Sequence, residues 1–161
     1  MRVSILSSLA FAIACTVFAR GAVADESSEA VHPPHHANHV AAFVGVTHEE
    51  QSDHATAGIE HEYRLPLLHE LLGAGPVVEY VHAEHSAVVA VALVHAHPWR
   101  GINLFVGPGY ERADGHGEVL VRGGVGYDLH VGGLSVSPTV AFDRIAGHTA
   151  AVGGLAVGLG I

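Results

Sequence analysis

From His39 onward, apolar and polar residues alternate with a period of two, in segments separated by turn-forming residues. In an extended chain such alternation places successive side chains on opposite faces, so each segment reads as a β-strand with one apolar face. Eight segments are found, at 39–47, 55–65, 75–83, 86–96, 101–112, 117–131, 134–143 and 148–160. PLLHELLG (66–73) is the one stretch suited to a short helical turn, and no segment is long and apolar enough for a spanning helix. In the second segment Thr56, Gly58, Glu60, Glu62 and Arg64 share one face, and Ala57, Ile59, His61 and Tyr63 the other. In the seventh, Ser135, Ser137, Thr139, Ala141 and Asp143 oppose Leu134, Val136, Pro138, Val140 and Phe142. Many short strands at regular spacing predict a sandwich or a barrel.

Parity alone allows the apolar face to point either way. Turned inward, it would give a soluble periplasmic barrel with a ligand cavity. The aromatic residues favour the opposite assignment. Tyr63, Tyr80, Tyr110, Tyr127 and Phe142 lie on the apolar face toward strand ends, with Trp99 in a turn. A soluble core draws its aromatics to the middle, whereas a lipid-facing wall gathers them into two interfacial belts with small aliphatics between. Strands of about 9–11 residues also suit a tilted crossing of the hydrocarbon layer. The charged face then lines the lumen with Glu60, Glu62, Arg64, Glu79, Glu111, Arg122, Asp128 and Asp143. An even strand count puts both termini on the periplasmic side, and the connections after strands one, three, five and seven outside.

The segments HVAAFVGVTHEE, TAGIEHEYRL, GPVVEYV, GPGYE, VRGGVGYD and LSVSPTVAFD resemble strands of the small eight-stranded outer-membrane β-barrel proteins of Gram-negative bacteria. The resemblance spans residues 39–161. It implies an all-β, up-and-down antiparallel transmembrane barrel, placed in the outer membrane. Outer-membrane lipid and the barrel-assembly machinery are the implied partners. It also implies a structural or surface-interaction role in the cell envelope, within a porin-like family that includes adhesion and resistance factors and a few lipid-modifying enzymes. Members usually finish on an aromatic residue that assists assembly, whereas this chain ends in GLGI.

Eight-stranded barrels are just wide enough to be filled by side chains, which argues against an open pore. A lone arginine in such a lumen needs a partner. A type I′ turn at Gly132-Gly133 pairs Val131 with Leu134. Counting back along that hairpin sets Arg122 opposite Asp143, and Gly123 opposite Phe142, whose ring would cover the glycine on the outer face. Lumen carboxylates outnumber arginines, so some are expected to hold a proton or share a cation.

Composition adds limits. The 161-residue chain carries a formal charge of -9, which argues against a nucleic-acid partner. Residues 1–24, with Arg2, the run ILSSLAFAIACTVFA and a closing Ala22-Val23-Ala24, read as a signal peptide. An uncleaved anchor and a lipoprotein cleaved before Cys15 are lesser alternatives. Cys15 is the single cysteine, so the mature protein has no thiol chemistry. Residues 25–38 (DESSEAVHPPHHAN) read as a flexible histidine-rich arm, and 39–161 as the barrel.

Of 15 histidines, His32, His35, His36 and His39 cluster near the arm, and His48, His54, His82, His85 and His116 sit with acids near the outer rim. Imidazole with carboxylate suits Zn²⁺, Ni²⁺ or Cu²⁺, but no spacing forms a four-ligand motif. The expectation is therefore no resident cofactor, and at most weak divalent-metal binding. Ser135, Ser137, His130 and Asp128 form a triad-like set near the periplasmic end, yet serines are common on a wet strand face. No catalytic role is assigned. The glycine runs precede no helix and so form no phosphate loop.

Overall fold

A computed structural model describes residues 37–66 and 71–161. The expected signal peptide, most of the arm, and His32, His35 and His36 lie outside the described residues. So do residues 67–70, half of the expected helical turn at 66–73, of which Leu72 and Gly73 belong to a strand.

Among the described residues the strands are β1 (Asn38–Glu49), β2 (Ser52–Arg64), β3 (Leu72–His82), β4 (Ala87–Trp99), β5 (Ile102–Ala113), β6 (His116–Tyr127), β7 (Leu129–Val131), β8 (Leu134–Ile145) and β9 (His148–Gly160). Every pairing between strands is antiparallel. The sheet runs β6-β5-β4-β3-β2-β1-β9-β8-β7, and pairing of β6 with β8 closes it into a barrel. The strand expected over 117–131 is divided at Asp128. There the backbone N–H turns to donate to the Gly101 carbonyl at 2.6 Å. Both pieces keep one register on β8, with Arg122 opposite Asp143 and Val131 opposite Leu134. β6 and β7 therefore act as one stave of an eight-stranded barrel.

The strands outrun their expected ends. At the end of the barrel called apical here, hairpins close on Glu50-Gln51, Asp114-Gly115 and Ala146-Gly147, with residues 83–86 the longest connection. HEEQSDH is thus mostly ladder, because Thr47 and Thr56 share a hydroxyl bond at 2.6 Å and His48 meets Asp53 at 2.6 Å across it. The basal end holds residues 65–71, Arg100-Gly101 and Gly132-Gly133. Of the last pair only Gly132 has a positive φ (63°), the pattern of a type II′ turn rather than the expected I′.

Strand alternation divides the residues as parity predicts. Outside lie Val44, Ile59, Val106, Val119, Val121, Phe142 and Leu155, all exposed. Tyr63, Trp99 and Tyr127 stand at the basal ends of their strands, and Tyr80, Tyr110 and Phe142 toward the apical ends. Inside, the lumen is less uniformly polar than the sequence suggested. β4 is apolar on both faces, and its Ala87, Val89, Val91 and Leu93 pack with Val77, Leu120 and Ile145. A second apolar group gathers Ala41, Phe43, Ala141, Val152 and Ala156.

Lumen glycines are seats for the rings that fill it. A Cβ on Gly124 would stand 2.5 Å from both the Phe105 ring and the Val140 carbonyl, and one on Gly45 or Gly154 would stand 2.7 Å from the Phe43 ring. The expected cover of Gly123 by Phe142 does not form. The two residues are opposed in register, yet a Cβ at Gly123 would meet only Phe105 and Val106 atoms, near 4 Å, so the Phe142 ring leans away. Gly124→Ala is expected to destabilise the barrel by about 1–3 kcal/mol through overpacking. Gly153→Ala, where nothing lies within 4 Å, leaves stability unchanged or raises it by up to about 1 kcal/mol. Equilibrium unfolding of the two variants in denaturant measures the contrast.

Candidate functional site: the barrel lumen

Three strands deliver the central charges. Arg122 on β6 donates through Nε to Asp143 Oδ1 and through Nη2 to Asp143 Oδ2, both at 2.7 Å. The same Nη2 lies 2.7 Å from Glu79 Oε2 on β3. Such a fork matches a carboxylate in two parallel bonds, so the register that opposes residues 122 and 143 also fixes the guanidinium plane. All three residues are buried. Gly58 leaves room for Glu79, since a Cβ there would come within 2.6 Å of Glu79 Cγ.

A second cluster fills the basal half. Glu62, which is 2% exposed, meets His97 Nε2 at 2.8 Å and Arg64 Nε at 3.7 Å through one oxygen, Oε1. His95 is fully buried; its Nδ1 lies 3.1 Å from Asn103 Oδ1, and its Nε2 lies 3.8 Å from Glu60 Oε1. Its ring stacks on that of His97 and tilts against Phe105. The sequence reading passed over His95 and His97. The signal was there, because Val91, Leu93, His95 and His97 continue one face of β4 at period two.

The triad-like residues do not assemble as one. Ser137 Oγ donates straight to Asp128 Oδ1 at 2.6 Å, with no imidazole between. Ser135 instead pairs with His39 Nε2 at 2.6 Å, while His130 is exposed beside it in the ladder. No relay from acid through imidazole to hydroxyl therefore exists among these four residues.

At the apical end Glu111 faces a cavity of about 220 Å³ that reaches down to Arg122 and Asp143 and is rimmed by Glu49, His54 and His85. Rim imidazoles pair individually with acids: His48 with Asp53 at 2.6 Å, His85 with Asp114 at 2.5 Å, and His148 with Glu49 at 2.6 Å. His82 points outward beside Tyr80, and His116 is exposed at the start of β6. His39 lies at the opposite, basal end. The metal-ligating candidates are thus dispersed, and among the described residues no three His, Cys, Asp or Glu side chains stand together as a ready ion site.

No protein-family model matches the chain, and no curated protein sequence matches it. Solved structures do. The N-terminal β-barrel domain of Pseudomonas aeruginosa OprF superposes with a TM-score of 0.57 at 13% identity, covering 78% of this chain and 98% of that one. A structure from de novo design of transmembrane β-barrels gives a TM-score of 0.54 at 11% identity, covering 75% of this chain and 95% of the design. At such identities the likeness concerns the fold alone. Closed, antiparallel, eight-stranded and built with charges inside, this chain has the fold of the small transmembrane β-barrels.

Proposed function

We propose that this chain is a small outer-membrane β-barrel protein of a Gram-negative envelope, exported by a cleaved signal peptide. Its lumen is closed by its own side chains, and its role is structural or interactive rather than that of an open porin or an enzyme. One observation carries this reading: a continuous outer wall of exposed valines, leucines and isoleucine, with aromatic residues at the strand ends above and below. In water such a wall would be an aggregation liability far larger than a monomer tolerates. In a bilayer it is the surface lipid requires. The same wall weighs against a soluble periplasmic ligand-binding barrel.

The ring-filled, ion-paired interior supports a closed lumen, because the cross-section left by eight strands is taken up by Phe43, Phe105, Leu120 and the Arg122 cluster. Outer-membrane lipid and the barrel-assembly machinery are its partners. Metal capture at the rim is the weaker reading, since His48, His85 and His148 each already face a single carboxylate.

Fractionation of expressing cells tests the proposal. The protein is expected in the outer-membrane fraction, and to migrate differently in gels before and after boiling, as closed barrels resist detergent unfolding. Recovery in the soluble periplasmic fraction, with no heat-dependent change in migration, would overturn it.

A further inference from the structure

The barrel wall sorts its charges by side. Among the described residues, every acid on a strand except Asp53 has the lumen parity of that strand, and Asp53 is paired with His48 at 2.6 Å. Two arginines do the opposite. Arg112 on β5 and Arg144 on β8 lie on the outer face, both exposed and each two residues short of an apical turn. Each also stands two residues beyond an outer aromatic, Tyr110 and Phe142. Among the described residues Arg112 makes no hydrogen bond or ion pair, and Arg144 bonds only the Thr149 hydroxyl, Nη1 to Oγ1 at 3.0 Å. The remaining arginine outside the lumen, Arg100, is in a basal turn. A chain of formal charge -9 thus presents unopposed positive charge on its outer wall at the apical end.

β6 runs between the two arginines. Arg112 is in register with Gly117 and Arg144 with Val121, so Val119 lies midway between them on the same outer face. Val119 is 70% exposed and Val121 53%, a bare apolar bed flanked by two guanidinium groups. Tyr110 adds a donor. It opposes Val119, and its ring runs apically over Gly117, where any Cβ would collide with the phenol oxygen. That brings the hydroxyl to the rung of Arg112. From mid-wall upward the order is aliphatic, then phenol, then guanidinium, which follows the layers of a lipid from acyl chain to headgroup. A guanidinium offers forked N–H groups to phosphate oxygens, and basic side chains at a membrane surface draw anionic headgroups.

We propose that the outer wall over β5, β6 and β8 selects an anionic lipid of the apical leaflet, its phosphate held by Arg112, Tyr110 and Arg144 and its acyl chains lying on Val119 and Val121. The inference rests on the outer-membrane reading above and names the lipid chemistry that this wall prefers. Trp99→Phe with Val119→Trp moves the single tryptophan between the two arginines. That protein is folded into phosphatidylcholine vesicles, with heat-dependent gel migration as the check of folding. Brominated phosphatidic acid is expected to quench the tryptophan at about a fivefold lower mole fraction than brominated phosphatidylcholine. Adding Arg112→Gln and Arg144→Gln brings the ratio to about one, and raised salt lowers it. Equal quenching by the two lipids before the arginines are changed overturns the proposal, as does a preference that survives their loss. Quenching that appears only after their loss means that copies pair over this face, and also overturns it. Quenching by neither lipid, with or without the arginines, removes the outer-membrane reading as well. Should the tryptophan variant fail to fold, phosphatidic acid carried through detergent purification by the wild type and by the double arginine variant gives the same comparison, and equal amounts overturn the proposal.

Discussion

Arg122→Met is expected to cost the barrel about 3–5 kcal/mol, the usual loss when one member of a buried ion cluster is removed. Among the described residues the guanidinium is the one positive group paired with both Asp143 and Glu79, and all three are at most 5% exposed. Methionine fills the volume, so the loss arises from two carboxylates left facing each other in a narrow space rather than from a cavity. A triple variant, Arg122→Met with Glu79→Gln and Asp143→Asn, should recover most of the loss, because it removes the charges together. Arg122→Lys recovers less, since an ammonium cannot reproduce the two parallel bonds to Asp143. Unfolding in denaturant, followed by Trp99 fluorescence, measures all three. A single variant as stable as the wild type would remove the Arg122 cluster from the account of the lumen.

Val106→Arg is the second large effect, and it reads the environment of the outer wall. Val106 is 54% exposed midway along β5, and Val119 is 70% exposed near the apical end, level with Tyr110. In a bilayer, arginine at mid-height costs about 2–4 kcal/mol, falling to about 0–1 kcal/mol near the interface. Val106→Arg should therefore be much the more damaging of the two when unfolding is followed in lipid vesicles. A barrel living in water would accept both with little change, since both side chains already face the solvent. Equal and small costs would sink the membrane assignment.

The barrel itself was legible because a strand with one buried face repeats every two residues, and a closed sheet imposes that repeat on every stave. The hairpin at Gly132-Gly133 also transmitted its register faithfully. One pairing at the turn sets Arg122 against Asp143 nine residues back in the ladder. Three features were hidden for physical reasons. β4 has no polar alternation, so nothing in AVVAVALV distinguishes its lumen side from its lipid side, and the apolar half of the interior went unseen. The break at Asp128 depends on a backbone bond to Gly101, a tertiary contact that no local pattern encodes. Finally, the tilt of the Phe142 ring away from Gly123 is a rotamer choice, and register fixes only where a side chain starts.

Three of the four apical hairpins turn over two residues, at Glu50-Gln51, Asp114-Gly115 and Ala146-Gly147, and the fourth spans only residues 83–86. A protease must draw several residues of extended chain into its cleft, and cleavage concentrates at exposed loop tips long enough to yield them. Turns this tight, entered directly from paired strands, give an enzyme almost nothing to grip. The same economy leaves little for an antibody to grasp beyond the side chains of the rim. Whatever meets this barrel from that side meets a short crown of imidazoles and carboxylates, held still by the wall beneath.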